Sequence, residues 1–234
     1  MKARIIAATL LVCLLLTGCS ADSQHQVQPV SSETAQEATD IFASFQELLD
    51  TNELTYRSHG TFSFDNGLQT TDLIFNTADD AFEGEILAEV DGQETALSII
   101  RTHTLTWIKG PPEYWESLGY EPDRAADKYV VFTADRGNEI AQSYNANRIL
   151  ESIQVFPIED VQVVGKVEDD RGQHFRYQLG HEETATSLDL LIDGNFDSVR
   201  ILSGSNDVDA SLVLSDFGVN TNIEPPSPDQ VVQP

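Results

Sequence analysis

Between Ser32 and Asn52, the apolar positions Ala35, Ala38, Ile41, Phe42, Phe45, Leu48 and Leu49 recur at helical spacing. They fall on one face of an amphipathic helix that Ser32 is placed to cap. Glu33, Glu37 and Asp40 lie in its first half, where the helix dipole favours acids. After this segment the period changes to two. Thr55 to Phe64 and Leu68 to Asn76 flank Asp65-Asn66-Gly67, a strong hairpin turn. Phe82, Gly84, Ile86, Ala88 and Val90 then alternate with Glu83, Glu85 and Glu89. This predicts a strand with one apolar face and one solvated, anionic face. Asp91-Gly92 turns the chain again, and Glu94 to Arg101 and Leu105 to Lys109 complete a meander of about five strands.

Gly110-Pro111-Pro112 ends that run, and Glu113 to Leu118 fits a short helix with Pro at its start. Tyr129 to Phe132 reads as a short extended piece. Gly137 to Ser152, with Ile140, Ala141, Tyr144, Ile149 and Leu150, reads as a second helix. The strand period returns from Ile158 to Glu168 and turns through Asp169-Asp170-Arg171-Gly172 into Gln173 to Leu179. It continues through Thr184 to Ile192, Phe196 to Ser203 and Val208 to Phe217. Many short strands with helices in only two places predict an α+β fold: a curved antiparallel sheet of about 9–11 strands around helices.

The two ends of the chain differ from this body. Lys2 and Arg4 precede a nearly continuous apolar run from Ile5 to Leu16. Twelve residues of helix rise about 18 Å, short of a ~30 Å hydrocarbon core, so residues 1–18 read as a signal peptide. Leu16-Thr17-Gly18-Cys19 closely resembles the lipobox of bacterial lipoproteins. The resemblance implies cleavage before Cys19, a diacylglycerol on its sulfur, and a membrane held through that covalent lipid. The other cysteine, Cys13, lies in the discarded segment, so no disulfide or cysteine nucleophile is expected in the mature protein. Two or three acyl chains, at ~0.8 kcal/mol per buried CH₂, form a stable anchor. Residues 19–32 carry the lipid site and a Gln- and Ser-rich tether spanning roughly 20 Å. Pro225, Pro226, Pro228 and Pro234 crowd the tail, 225–234, and leave 33–224 as the folded domain.

In order, helix, meander, central helices, meander resembles the LolA-like lipoproteins of actinobacteria, the LppX and LprG type family. Two stretches carry the likeness. One is Trp107-Ile108-Lys109-Gly110-Pro111-Pro112-Glu113-Tyr114-Trp115. The other is Leu214-Ser215-Asp216-Phe217-Gly218 followed by Ile223-Glu224-Pro225-Pro226. The resemblance implies a half-open barrel covered on its concave side by the N-terminal and central helices. It also implies an apolar cavity that takes a lipid or glycolipid ligand. Phe42 and Phe45 on the first helix, and Phe82, Ile86 and Trp107 on the strands, are the residues placed to line it. The same five serve equally as ordinary core, because periodicity is identical for a filled interior and an open one.

Composition narrows the function further. With Lys plus Arg at 13 and Asp plus Glu at 39, the formal charge is −26. Such a surface repels phosphate backbones and argues against nucleic-acid binding. It also disfavours a polyanionic lipid head group. The five histidines, His25, His59, His103, His174 and His181, form no His-Glu-x-x-His, and no Gly-x-Ser-x-Gly or phosphate loop occurs. His181-Glu182-Glu183 reads as a solvated turn. Asp169-Asp170 and Asn206-Asp207-Val208-Asp209 read as turns without calcium-loop spacing. Tyr114 and Trp115 read as an aromatic plug against the sheet. No enzyme, cofactor or metal site is therefore expected. Two functions remain: an anchored, non-catalytic binder of an apolar ligand, and an anchored protein-interaction module without a ligand.

Overall fold

The computed structural model describes residues 27–232 except 52, 65–66, 91–92, 104, 122–124, 126, 134–135, 140–146, 181–185 and 204–209. Cys19, the signal peptide, His181 and Asn206 to Asp209 thus lie outside the described residues. Helix α1 (Ser32–Leu49) is capped by Ser31 and not by Ser32. The Ser31 hydroxyl accepts the Thr34 N–H at 3.3 Å, and its carbonyl accepts the Ala35 N–H at 2.9 Å. Both serines are good caps, and tertiary packing selects between them. Capping at Ser31 puts Val30 just before the cap, where it packs against the core. The buried face of α1 is Ala38, Phe42, Phe45 and Leu49, as the spacing predicts.

Strands β1 (Thr55–Phe64), β2 (Gly67–Asn76), β3 (Ala81–Val90), β4 (Gln93–Thr102) and β5 (Leu105–Lys109) form the expected antiparallel meander. Helix α2 (Pro112–Ser117) follows, with Pro in its first turn. The chain then returns as β6 (Tyr129–Thr133), antiparallel to β5. The second helix appears as a helical turn at 136–139 and as α3 (Asn147–Gln154); Ile140, Ala141 and Tyr144 lie outside the described residues. The strand expected from Ile158 starts only at Gln162. Pro157 instead opens a 3₁₀ turn over Ile158–Asp160, with Glu159 and Asp160 at its N-terminal end. Strands β7 (Gln162–Asp169), β8 (Gly172–Leu179), β9 (Thr186–Leu191), β10 (Val199–Ser203) and β11 (Ala210–Ser215) make the second meander. Strand β11 pairs with β1 and joins the two meanders into one open sheet.

That sheet has twelve strands, ordered β12-β6-β5-β4-β3-β2-β1-β11-β10-β9-β8-β7. Strand β12 is Val231–Val232, inside the proline-rich tail, and runs parallel to β6 with Val231 opposite Tyr129. Proline is compatible with this because Pro228 precedes an edge strand, where no ladder donor is lost. At the other edge, Gln28 of the expected tether exchanges two backbone hydrogen bonds with Lys166 of β7, both 2.8 Å. Gly165 permits that approach, since a Cβ there would sit 2.4 Å from the Gln28 carbonyl oxygen. Open edges present unpaired N–H and C=O groups, and each end of the described chain covers part of one.

Helices α1 and α3 roof one face of the sheet. The core lies between them, and no described helix is long and apolar enough to cross a membrane.

Candidate functional site

Four of the five residues expected to line a cavity come together under the helical roof. Phe42 lies against Tyr177 of β8, ring centroids 5.5 Å apart, and the Tyr177 hydroxyl donates to the Ala38 carbonyl at 2.7 Å. These contacts fix α1 onto the second meander. Phe45 meets Phe196 at 5.2 Å and Phe217 at 6.1 Å. From Phe217 the rings continue to Tyr56 at 5.9 Å, Phe75 at 4.9 Å and Phe82 at 5.3 Å. Ile86 belongs to the same buried cluster. This ladder of rings occupies the inner face from β8 to β3.

Trp107 is on the other face. It alternates in β5 with Ile108, whose register partner Ile99 is in the inner cluster, whereas its own partners are Ile100 and Val131. On that outer face it is only 5% exposed. Leu105, Trp107 and Ile108 are apolar on both parities, so alternation alone does not assign a side to this strand.

An inward cation, Arg101, carries no signal in the local pattern. Leu97, Ile99 and Arg101 share one face of β4, and Arg101 is buried at the end of that row. Its guanidinium donates to Asp80 at 2.8 Å, Asn138 at 3.0 Å and Thr106 at 3.3 Å; the Thr106 hydroxyl donates to the Gly137 carbonyl at 3.2 Å. These bonds pin the turn at 136–139 over the sheet. Trp115 forms the expected plug: it is fully buried, donates to the Gly110 carbonyl at 3.1 Å and stacks near Phe132.

Among the described residues, three of the clefts around the core are lined by none of the five expected residues. The first, about 340 Å³, lies where the C-terminal ends of α1 and α3 meet the start of β1. Its apolar floor is Leu49, Leu54 and Leu150, and its rim is Asp50, Thr51, Thr77, Glu151 and Gln154. Leu54 is stapled by Thr77, whose hydroxyl accepts its N–H and donates to its carbonyl, both at 3.0 Å. Gln154 donates to Asp50 at 2.9 Å across the mouth. The Gln46 side-chain amide donates to the carbonyls of Ile153, Gln154 and Phe156 at 2.9–3.1 Å and so caps α3 from α1. Beneath this end of the roof, burial and the charge of Glu151 push the Tyr56 phenol well above its usual range. No local signal joins positions 49, 54 and 150; only the tertiary fold does.

The second cleft, also about 340 Å³, is on the outer face. Arg57 pairs with Asp72 through two hydrogen bonds of 2.6 and 2.7 Å, which hold the Asp72 carboxyl below its usual value. The glutamate face of β3 is not uniformly solvated: Glu83 is half-buried there, and burial raises its carboxyl. Burial, together with Glu85 and Glu83, raises the Tyr129 phenol. The third cleft runs between α1 and the turn after β9. Among the described residues, no three His, Cys, Asp or Glu lie together so as to hold a metal ion.

An open antiparallel sheet roofed by helices is the class of fold these elements define. No protein-family model matches the chain, and no curated protein matches it significantly. Among solved structures, it is similar to LprF from Mycobacterium bovis, with a TM-score of 0.51 over 82% of this chain and 98% of that one, at 11% identity. An uncharacterised conserved protein from Thermus thermophilus aligns over 86% of this chain and 99% of that one, at 13% identity and a TM-score of 0.38. The chain therefore has the fold of LprF.

Proposed function

We propose that this chain is an extracytoplasmic lipoprotein, anchored through lipid on Cys19, that binds an apolar or amphiphilic ligand without catalysis between its helical roof and its sheet. The observation that carries the reading is the first cleft. Its floor of Leu49, Leu54 and Leu150 is the rim of the buried core, and its mouth is the seam between α1, α3 and β1. An acyl chain laid on that floor would touch the three leucines, while the rim would meet a polar head. The anchor follows from the lipobox-like Leu16-Thr17-Gly18-Cys19.

A second reading, an anchored docking module that holds no ligand, is favoured by the ring ladder from Phe42 to Phe82, which fills the inner face with side chains. One experiment separates the two. The full chain is purified from host membranes and a form starting at Ser20 from the soluble fraction; both are analysed by native mass spectrometry, then by solvent extraction. The expected result is acyl mass on Cys19 in the first and an extractable amphiphile in both. A bare mass for the Ser20 form, with no uptake of added amphiphile, leaves the docking module.

A further inference from the structure

Among the described residues, no positive charge lines the first cleft, and its electrostatics select the ligand. Two helices end at this mouth. Their last turns contain no Lys, Arg or His, although helix C-termini carry a partial negative charge that such residues commonly offset. The last carbonyls of α3 are met instead by the neutral amide of Gln46. The charged side chains lining the cleft are both carboxylates, Asp50 and Glu151. Asp50 already accepts from Gln154 through one oxygen, which leaves its second oxygen to face an incoming donor.

The volume of about 340 Å³ is at the lower end for small-molecule sites, enough for one narrow ligand and too small for a multiply acylated one. From the apolar floor, the donor-seeking rim and the absence of a cation among the described lining residues, we infer that the cleft takes a single-chain amphiphile whose head is a hydroxyl-rich neutral group or a cation, and that it rejects anionic heads such as phosphate or sulfate. This rests on the proposed ligand-binding role and specifies its substrate class. The hydroxyls would donate to Asp50 and Glu151, and the chain would lie on Leu49, Leu54 and Leu150. An anionic head would face two carboxylates and two helix C-termini with no counter-charge among the described lining residues.

The test uses the Ser20-to-Pro234 chain and three probes with the same octyl chain, below their micellar concentrations: octyl glucoside, octyl sulfate and octyltrimethylammonium. Calorimetric titration at low salt is expected to show octyl glucoside binding and octyl sulfate at least about tenfold weaker, a gap that narrows with added salt. Octyltrimethylammonium is expected to bind at least as well as the glucoside. In the isosteric double variant Asp50→Asn, Glu151→Gln, the sulfate is expected to recover most of its deficit, whereas Glu85→Gln on the outer face changes nothing. Equal or tighter binding of the sulfate by the native chain overturns this inference and leaves the ligand-binding role standing. Binding of none of the three overturns that role itself.

Discussion

The residue most at odds with its surroundings is His174. It lies on the outer face of β8, fully buried, and among the described residues neither ring nitrogen has a hydrogen-bond partner. Around it stand Asp169, 3.7 Å from Nδ1, together with Arg171 and Asp189. Arg171 donates to Asp169, whose carboxyl would be raised by burial but is held low by those bonds. Arg176 grips Asp189 through two 2.7 Å bonds. Burial lowers the imidazole of His174 below its usual value, and this outweighs the pull of Asp169. The folded state thus binds the proton less readily than the unfolded chain. The associated stability is complete above the ordinary imidazole pKa near 6.5 and is lost as pH falls below it through the folded value. Urea unfolding at pH 8 and pH 5 should show this loss, with a slope of at most about 1.4 kcal/mol per pH unit for one proton. In His174→Phe, which removes two unsatisfied polar atoms, the pH-dependent component should vanish and stability at pH 5 should rise. An unchanged slope in the variant assigns the acid sensitivity elsewhere.

Among the elements, the junction of α1 with α3 depends on one side chain. The two N–H groups of Gln46 are shared among three carbonyls at the end of a helix of eight residues, which is too short to persist without tertiary support. Gln46→Ala should cost about 1–3 kcal/mol and, in hydrogen exchange, open α3 before the sheet. Uniform loss of protection would mean that the clasp is not specific to α3. Much at this scale was legible in the sequence. The apolar stripe of α1, and the alternation in β3 and β8, follow from periods of 3.6 and 2 that backbone geometry imposes. Where it failed, two local preferences were nearly equal. Ser31 and Ser32 both cap, and Val30 chose between them; Ile158 suits a strand, and Pro157 with two acids favoured a turn. Trp107 sits in a strand apolar on both faces, so parity waited for its partners Ile100 and Val131.

For the whole molecule, an open sheet must manage its two edges. The described chain does this at its own ends, with Gln28 on β7 and Val231–Val232 on β6. Val232 also packs against the core, and Lys128 donates to the Asp229 carbonyl at 2.5 Å. Removing residues 225–234 should therefore lower the melting temperature by about 2–4 °C, the loss of roughly 1 kcal/mol in a domain of this size. It should also promote self-association through the bared β6 edge, read by light scattering. A tail that merely hangs free would leave both unchanged.

The sequence by itself determined the local periods, the helical and strand segments, the acidic surface and the lipobox-like site at Cys19, because each of these depends on residues close together along the chain. The tertiary structure alone decided which apolar residues face the roof, that Gln28 and Val231–Val232 join the sheet, and that Leu49, Leu54 and Leu150 meet in one cleft. Those contacts join positions more than a hundred residues apart, and their free energy exists only once the sheet has curved and the helices have settled on it.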